Sequence, residues 1–278
     1  MNQPSSVQAA PYRSVALGGS LQAVFTDRPD GTTLVRSVEP LQAYPERITD
    51  CLIRGAAAHG SRVLAARRGA DGKWVEVTWA QALERARALA QALLARKLSP
   101  ERPVVILSGN DLEHLLLSFG ALLAGIPFAP ISPAYSLLSK DFGKLRHIVQ
   151  LLTPGLVFVS DEAAYADAIR AVVPADVEVV AAQVDGAAAG RPVTPLQALL
   201  DTEPTAEVDA AHAAVGPDTI AKFLFTSGST KMPKAVINTH RMWCSNQQML
   251  LQCLPFLAET PPVLVDWLPW NHTFGGNH

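Results

Sequence analysis

The stretch "PVVILSGNDLEHLLLSFGALLAGIPFAPIS", Pro103 to Ser132, decides the fold. Val104 to Leu107 is an unbroken apolar run that enters the polar turn Ser108-Gly109-Asn110-Asp111. A helical pattern follows and ends near Gly125, and a second apolar run comes after it. Strand, helix and strand in that order predict a βαβ unit, and hence a parallel sheet, because parallel neighbours need a crossover connection. Leu115 to Ser139 holds no charged residue, but Pro127, Pro130 and Pro133 interrupt it. A membrane helix needs about 20 predominantly apolar residues. The segment therefore reads as a buried helix followed by a buried extended piece.

Working outward, the same order recurs. "KLRHIVQLLTPGLVFVSD" (Lys144–Asp161) and, more weakly, "YADAIRAVVPADVEVVAA" (Tyr165–Ala182) each read as helix then strand. "GAAAGRPVTP" is a loop, "TIAKFLFT" (Thr219–Thr226) a strand, "RMWCSNQQMLLQCL" a helix and "VLVDWLP" (Val263–Pro269) a closing strand. Upstream, "ERITDCLIRGAAAHG" is a helix ending at Gly60. "RVLAARRGADGKWVEVTW" is a pair of strands turning at Asp71-Gly72. Thr78 and Gln81 have the spacing of a capping box for the next helix. Residues 1–45 form an extended, β-rich lead-in with a hairpin at Asp30-Gly31, and residues 46–278 form the main domain. The expected class is α/β, an αβα layering around a mainly parallel sheet.

The chain has 278 residues, 49% apolar and 17% charged, with a formal net charge of −2. This is a globular composition with no field to attract nucleic acid. The three cysteines, Cys51, Cys244 and Cys253, form neither a C-x-x-C pair nor a Cys/His cluster. Buried free thiols in a reducing cytoplasm are expected, with no protein metal site. The N-terminus lacks the basic and apolar regions of a secretory signal.

The predicted strand "TIAKFLFT" runs into "TSGSTKMPK" (Thr226–Lys234), four hydroxyl residues around one glycine with two lysines after them. Hydroxyls and backbone N–H groups after a strand can cradle an anion, and a lysine adds charge that reaches phosphate oxygens. Neither G-x-x-x-x-G-K-(S/T) nor G-x-G-x-x-G is present. Composition alone favours a solvated turn, since Ser, Thr and Gly dominate turns for local reasons.

The order of residues adds more. The loop resembles the signature phosphate loop of the adenylate-forming acyl-CoA synthetase superfamily, roughly (S/T)-S-G-(S/T)-T-G-x-P-K-G. Thr226, Ser227, Gly228, Ser229, Thr230, Pro233 and Lys234 match, whereas Lys231 and Ala235 stand where glycines are usual. "DWLPWNHTFGGNH" (Asp266–His278) resembles that superfamily's aromatic/His segment, with His272 on its histidine. "VINTHRMW" and the Ile106–Ser136 stretch are most similar to the feruloyl-CoA synthase branch.

The resemblance implies an ATP-dependent acid–CoA ligase of ferulate catabolism. A carboxylate would attack the α-phosphate of ATP, and the CoA thiol would then displace AMP. It implies that Thr226, Ser227, Gly228, Ser229, Thr230 and Lys234 hold the β- and γ-phosphates. His272 would lie beside the carboxylate and adenylate, and Trp270 and Phe274 would shape an aromatic-acid pocket. Taken singly, Lys234 would be a solvated lysine, His272 a satisfied polar residue and the two aromatics core residues. His114 and His147 sit in helical segments and carry no signal. Mg²⁺ is expected as well, with ligands downstream of His278 together with the mobile C-terminal domain. The sequence thus reads as the N-terminal portion of a synthetase, incomplete for acyl-CoA synthesis, that leaves apolar surface uncovered around Val263 to Phe274. A non-catalytic nucleotide- or acyl-binding module is the alternative, and the oligomeric state stays open.

Overall fold

The computed structural model describes residues 14–20, 22–226 and 232–277. β1 (Ala23–Asp27) and β2 (Thr33–Ser37) form an antiparallel hairpin, and Gly31 in its turn takes φ +84°. α1 (Thr49–His59) gives way at Gly60 to the antiparallel pair β3 (Val63–Arg68) and β4 (Trp74–Thr78). α2 (Trp79–Ala95) opens with the expected capping box: Thr78 Oγ1 accepts from Gln81 N–H, and Gln81 Oε1 accepts from Thr78 N–H. Two orphan donors of the first turn are satisfied this way.

The central unit follows as read. β5 (Val104–Leu107), α3 (Leu112–Leu123) and β6 (Phe128–Pro130) make the βαβ crossover, with Val104 opposite Phe128 in a parallel pair. After it come α4 (Ala134–Leu137), α5 (Gly143–Leu152), β7 (Leu156–Asp161), α6 (Glu162–Val172), β8 (Glu178–Gln183) and β9 (Thr194–Pro195). Then come α7 (Leu196–Leu200), α8 (Ala206–Ala214), β10 (Ile220–Thr226), β11 (Lys234–Thr239), α9 (His240–Cys253), α10 (Phe256–Glu259) and α11 (Thr273–Gly276).

Seven strands join in the order β11-β10-β6-β5-β7-β8-β9, and every neighbour is parallel except the β10–β11 pair. Alternation along the strands sorts their side chains to two faces. Val104, Ile106, Phe128 and Phe158 pack with Leu89, Leu93, Leu117 and Leu199 of α2, α3 and α7. Val105, Leu107, Val157 and Val159 pack with Leu145, Ile148 and Ile169 of α5 and α6. The result is the αβα layering expected of an α/β chain with helical crossovers.

By compactness the chain divides into two units, residues 1–43 with 245–265 and residues 44–244 with 266–278. The first contains the β1–β2 hairpin and α10, and in it Gly18 N–H donates to Cys253 O. The second contains the seven-stranded sheet.

Three expectations change. "VLVDWLP" is not a strand: residues 261–267 take no regular structure, with Val263 97% and Val265 92% exposed. Apolar, β-prone residues do not make a strand without a neighbour to take their backbone hydrogen bonds. The exposure of apolar surface expected here is therefore present. Conversely, β11 is a strand that the sequence reading did not separate from the loop before it. All three cysteines are free, but only Cys244 is buried, and Cys51 and Cys253 are exposed. Among the described residues, no helix is long and apolar enough to cross a membrane.

Candidate functional site

β10 is the strand on which the site is built. A register shift between Ile220 and Lys222 resets its alternation, so that Lys222 and Leu224 share one face while Phe223 and Phe225 pack toward α5 and α6. The strand ends at Thr226, which pairs across the antiparallel ladder with Lys234 of β11. Residues 227–233 are the connection, and they leave and return at these two opposed residues. Ser227, Gly228, Ser229 and Thr230, together with Lys231, lie outside the described residues. Thr226 and Lys234 are both exposed. The returning end is anchored from α5, where His147 Nε2 donates to Pro233 O at 3.1 Å.

The second part is the segment from Asp266 to Gly276. Asp266 accepts from Leu268 N–H at 3.1 Å and from Trp270 Nε1 at 2.7 Å. Asn110, in the loop after β5, clasps the same segment: its Nδ2 donates to Leu268 O at 2.7 Å and its Oδ1 accepts from Trp270 N–H at 3.1 Å. The Trp270 ring meets His114 edge-on, with centroids 5.1 Å apart. His272 is the N-cap of α11, its Nδ1 accepting from Phe274 N–H at 3.3 Å. That bond leaves the proton of a neutral imidazole on Nε2. His272 and Phe274 are exposed, and Trp270 is half-buried.

Two glycines allow the fold of this segment. A Cβ on Gly275 would lie 2.4 Å from Pro269 O, and one on Gly276 would lie 2.6 Å from Trp270 O and 3.3 Å from the Leu224 methyls. Only residues without a side chain let the backbone turn back on itself against β10. Lys222 Nζ completes the attachment by donating to Gly276 O.

The strand order reverses direction beside this part of the sheet. The crossover from β5 leads to β6 and that from β7 to β8, in opposite directions along the sheet. Ligands of open α/β sheets bind beyond the carboxyl ends of the strands at such a switch point. The β5 loop there presents Asn110 and Asp111. Burial raises the Asp111 carboxyl to about 6, although the His114 N–H bond to its Oδ1 opposes this. Burial also pushes His114 down to about 4, so its ring is neutral, and its Nδ1 donates to Gly109 O at 3.0 Å.

The structure therefore brings Trp270, His272 and Phe274 together on a segment docked to β10, and opposes Thr226 to Lys234 at the end of the same strand. Sequence reading missed Asn110, His114, His147 and Lys222. Only Lys222 left a signal, as a charge inside an otherwise apolar strand. Among the described residues, no group of three or more His, Cys, Asp or Glu could hold a metal ion.

A family model described as "AMP-binding enzyme" matches residues 54–277. An octahydro-indenyl-propanoyl:CoA ligase of Rhodococcus jostii is 30% identical over 212 residues, 74% of this chain and 40% of that protein. The 4-hydroxyphenylalkanoate adenylyltransferase of Mycobacterium marinum is 27% identical over 209 residues, 74% of this chain and 31% of that protein. Among solved structures, the fatty acyl-adenylate ligase of L. pneumophila in complex with acyl adenylate and pyrophosphate superposes with a TM-score of 0.60. It is 22% identical and matches 83% of this chain and 36% of its own, a likeness of fold. The chain thus spans 31% to 40% of the two curated relatives' lengths.

Proposed function

The chain belongs to the AMP-binding enzyme family, and on that premise we propose that it serves the ATP-dependent activation of a carboxylic acid for transfer to CoA, the acid being an aromatic hydroxycinnamate such as ferulate. One observation carries the reading. A single strand, β10, ends in the Ser/Thr/Gly loop, returns opposite Lys234, and bears on its face the segment that presents Trp270, His272 and Phe274.

The chemical difficulty is to bring a carboxylate to a triphosphate. Preorganised donors and cations in a fixed place offset that repulsion. Thr226, Ser227, Gly228, Ser229 and Thr230 supply hydroxyls and N–H groups for the β- and γ-phosphates, and Lys234 supplies charge. Fixing both ends of the loop on paired strands limits the entropy lost when ATP is bound. His272, held by its cap bond to Phe274 N–H, stands beside the carboxylate with Nε2 free to donate to it or to the adenylate. Trp270 and the exposed Phe274 offer aromatic faces to a planar acid. Mg²⁺ would share the phosphate charge, as metal ions do in such transfers. The phenolic acid in the name of the M. marinum relative agrees with an aromatic substrate.

ATP–pyrophosphate exchange tests the reading. Ferulate should support exchange and a long-chain fatty acid should not. Exchange with the fatty acid alone would overturn the aromatic assignment. Tight ATP binding without exchange on any acid would replace activation by a binding module.

A further inference from the structure

Lys222 is the least expected residue of the sheet. It is 1% exposed, in the middle of a strand whose neighbours Phe223 and Leu224 are buried apolar residues. Among the described residues no ion pair involves it. Burial pushes its ammonium down to about 7. A buried charge without a counter-ion costs several kcal/mol, and an apolar residue of the same length would avoid that cost. Its head group has two described partners. It donates to Gly276 O, and it lies 3.2 Å from the centroid of the Trp243 ring. The indole face attracts the cation, more strongly in a desolvated place.

We propose that Lys222 is a positioning residue for the acyl site: clamped between the Trp243 ring and Gly276 O, it locks the turn that carries His272 and Phe274 onto the strand that leads into the phosphate loop. The inference rests on the acid-activating reading of that site. Lys222 touches neither ATP nor the acid. It acts through the backbone of α11, whose Gly276 N–H in turn donates to His272 O at 2.7 Å. Gly276 lies against Leu224, where an added Cβ would come within 3.3 Å of its methyls, and the lysine holds this last residue of the turn there.

Lys222→Met tests this, with ATP and ferulate affinities measured separately by calorimetry and hydrogen exchange followed over residues 272–276. Met keeps the length and apolar stem but removes the donor and the charge. The variant is expected to fold with a melting temperature no lower than wild type, because a buried unpaired charge has gone. Its ferulate Kd should rise roughly tenfold, as for a turn that is binding-competent only about a tenth of the time once unclamped, while its ATP Kd stays within about twofold. The amides of 272–276 should exchange faster. A variant that fails to fold overturns the proposal, since the lysine would then be a framework residue. Unchanged ferulate affinity, or equal losses for both ligands, overturns it as well. If the wild-type chain binds neither ligand, the acid-activating reading fails, and exchange still decides for the lysine: unaltered protection of 272–276 in Lys222→Met removes the clamp.

Discussion

At the residue scale, Lys222 gives a stability signature of its own. Its amine titrates near 7 in the folded chain against 10.5 when unfolded. Between these values the unfolded chain binds more protons, so stability rises with pH. The unfolding free energy of the wild type should therefore climb between about pH 7 and pH 9 at up to 1.4 kcal/mol per pH unit, a slope that Lys222→Met should lose. Urea unfolding at several pH values measures it, and a flat wild-type profile would mean that the amine is not desolvated. Cys244, raised by burial to about 11, acts in the opposite direction only above pH 9. His114 and Asp111 are displaced from their usual values at lower pH, to about 4 and about 6, and leave this window clear.

At the scale of elements, α2 shows how local chemistry and packing combine. Thr78 and Gln81 cap its first turn, while Leu89, Ala90 and Leu93 enter the core without exposure. Thr78→Ala should lower the unfolding free energy by about 1 kcal/mol, while Thr78→Ser, which keeps the cap hydroxyl, should leave it nearly unchanged. Denaturant titration checks this, and an Ala variant as stable as wild type would show that the cap bonds are replaced by water at no cost. Such elements were legible because their signals are local: Asp71-Gly72 for a hairpin, Thr78-x-x-Gln81 for a helix start, Val104–Leu107 for a buried strand. Strand formation in "VLVDWLP" was misjudged because it depends on a partner that local sequence cannot report. β11 was overlooked for the converse reason. Its Val236 and Ile237 are 41% and 52% exposed at the sheet edge, and what makes it a strand is its pairing with β10.

At the scale of the molecule, the sheet order explains why separated segments meet. Asn110 follows β5, Lys222 lies on β10 and Trp270 lies far beyond both, yet the first two hold the segment of the third. Trp270, His272 and Phe274 were legible as a candidate group because a short motif contains them. Asn110 and His114 were not, since their role follows from strand order. The loop residues Ser227 to Thr230 rest on the motif and on the two described ends that frame them.

The central claim is that the connection between Thr226 and Lys234 holds the triphosphate of ATP. Calorimetric titration of ATP into the wild type and Lys234→Ala tests it most directly. Loss of one charge-assisted phosphate contact should weaken ATP roughly tenfold or more, with the melting temperature unchanged because Lys234 is exposed. Equal ATP affinity in the two proteins would contradict it.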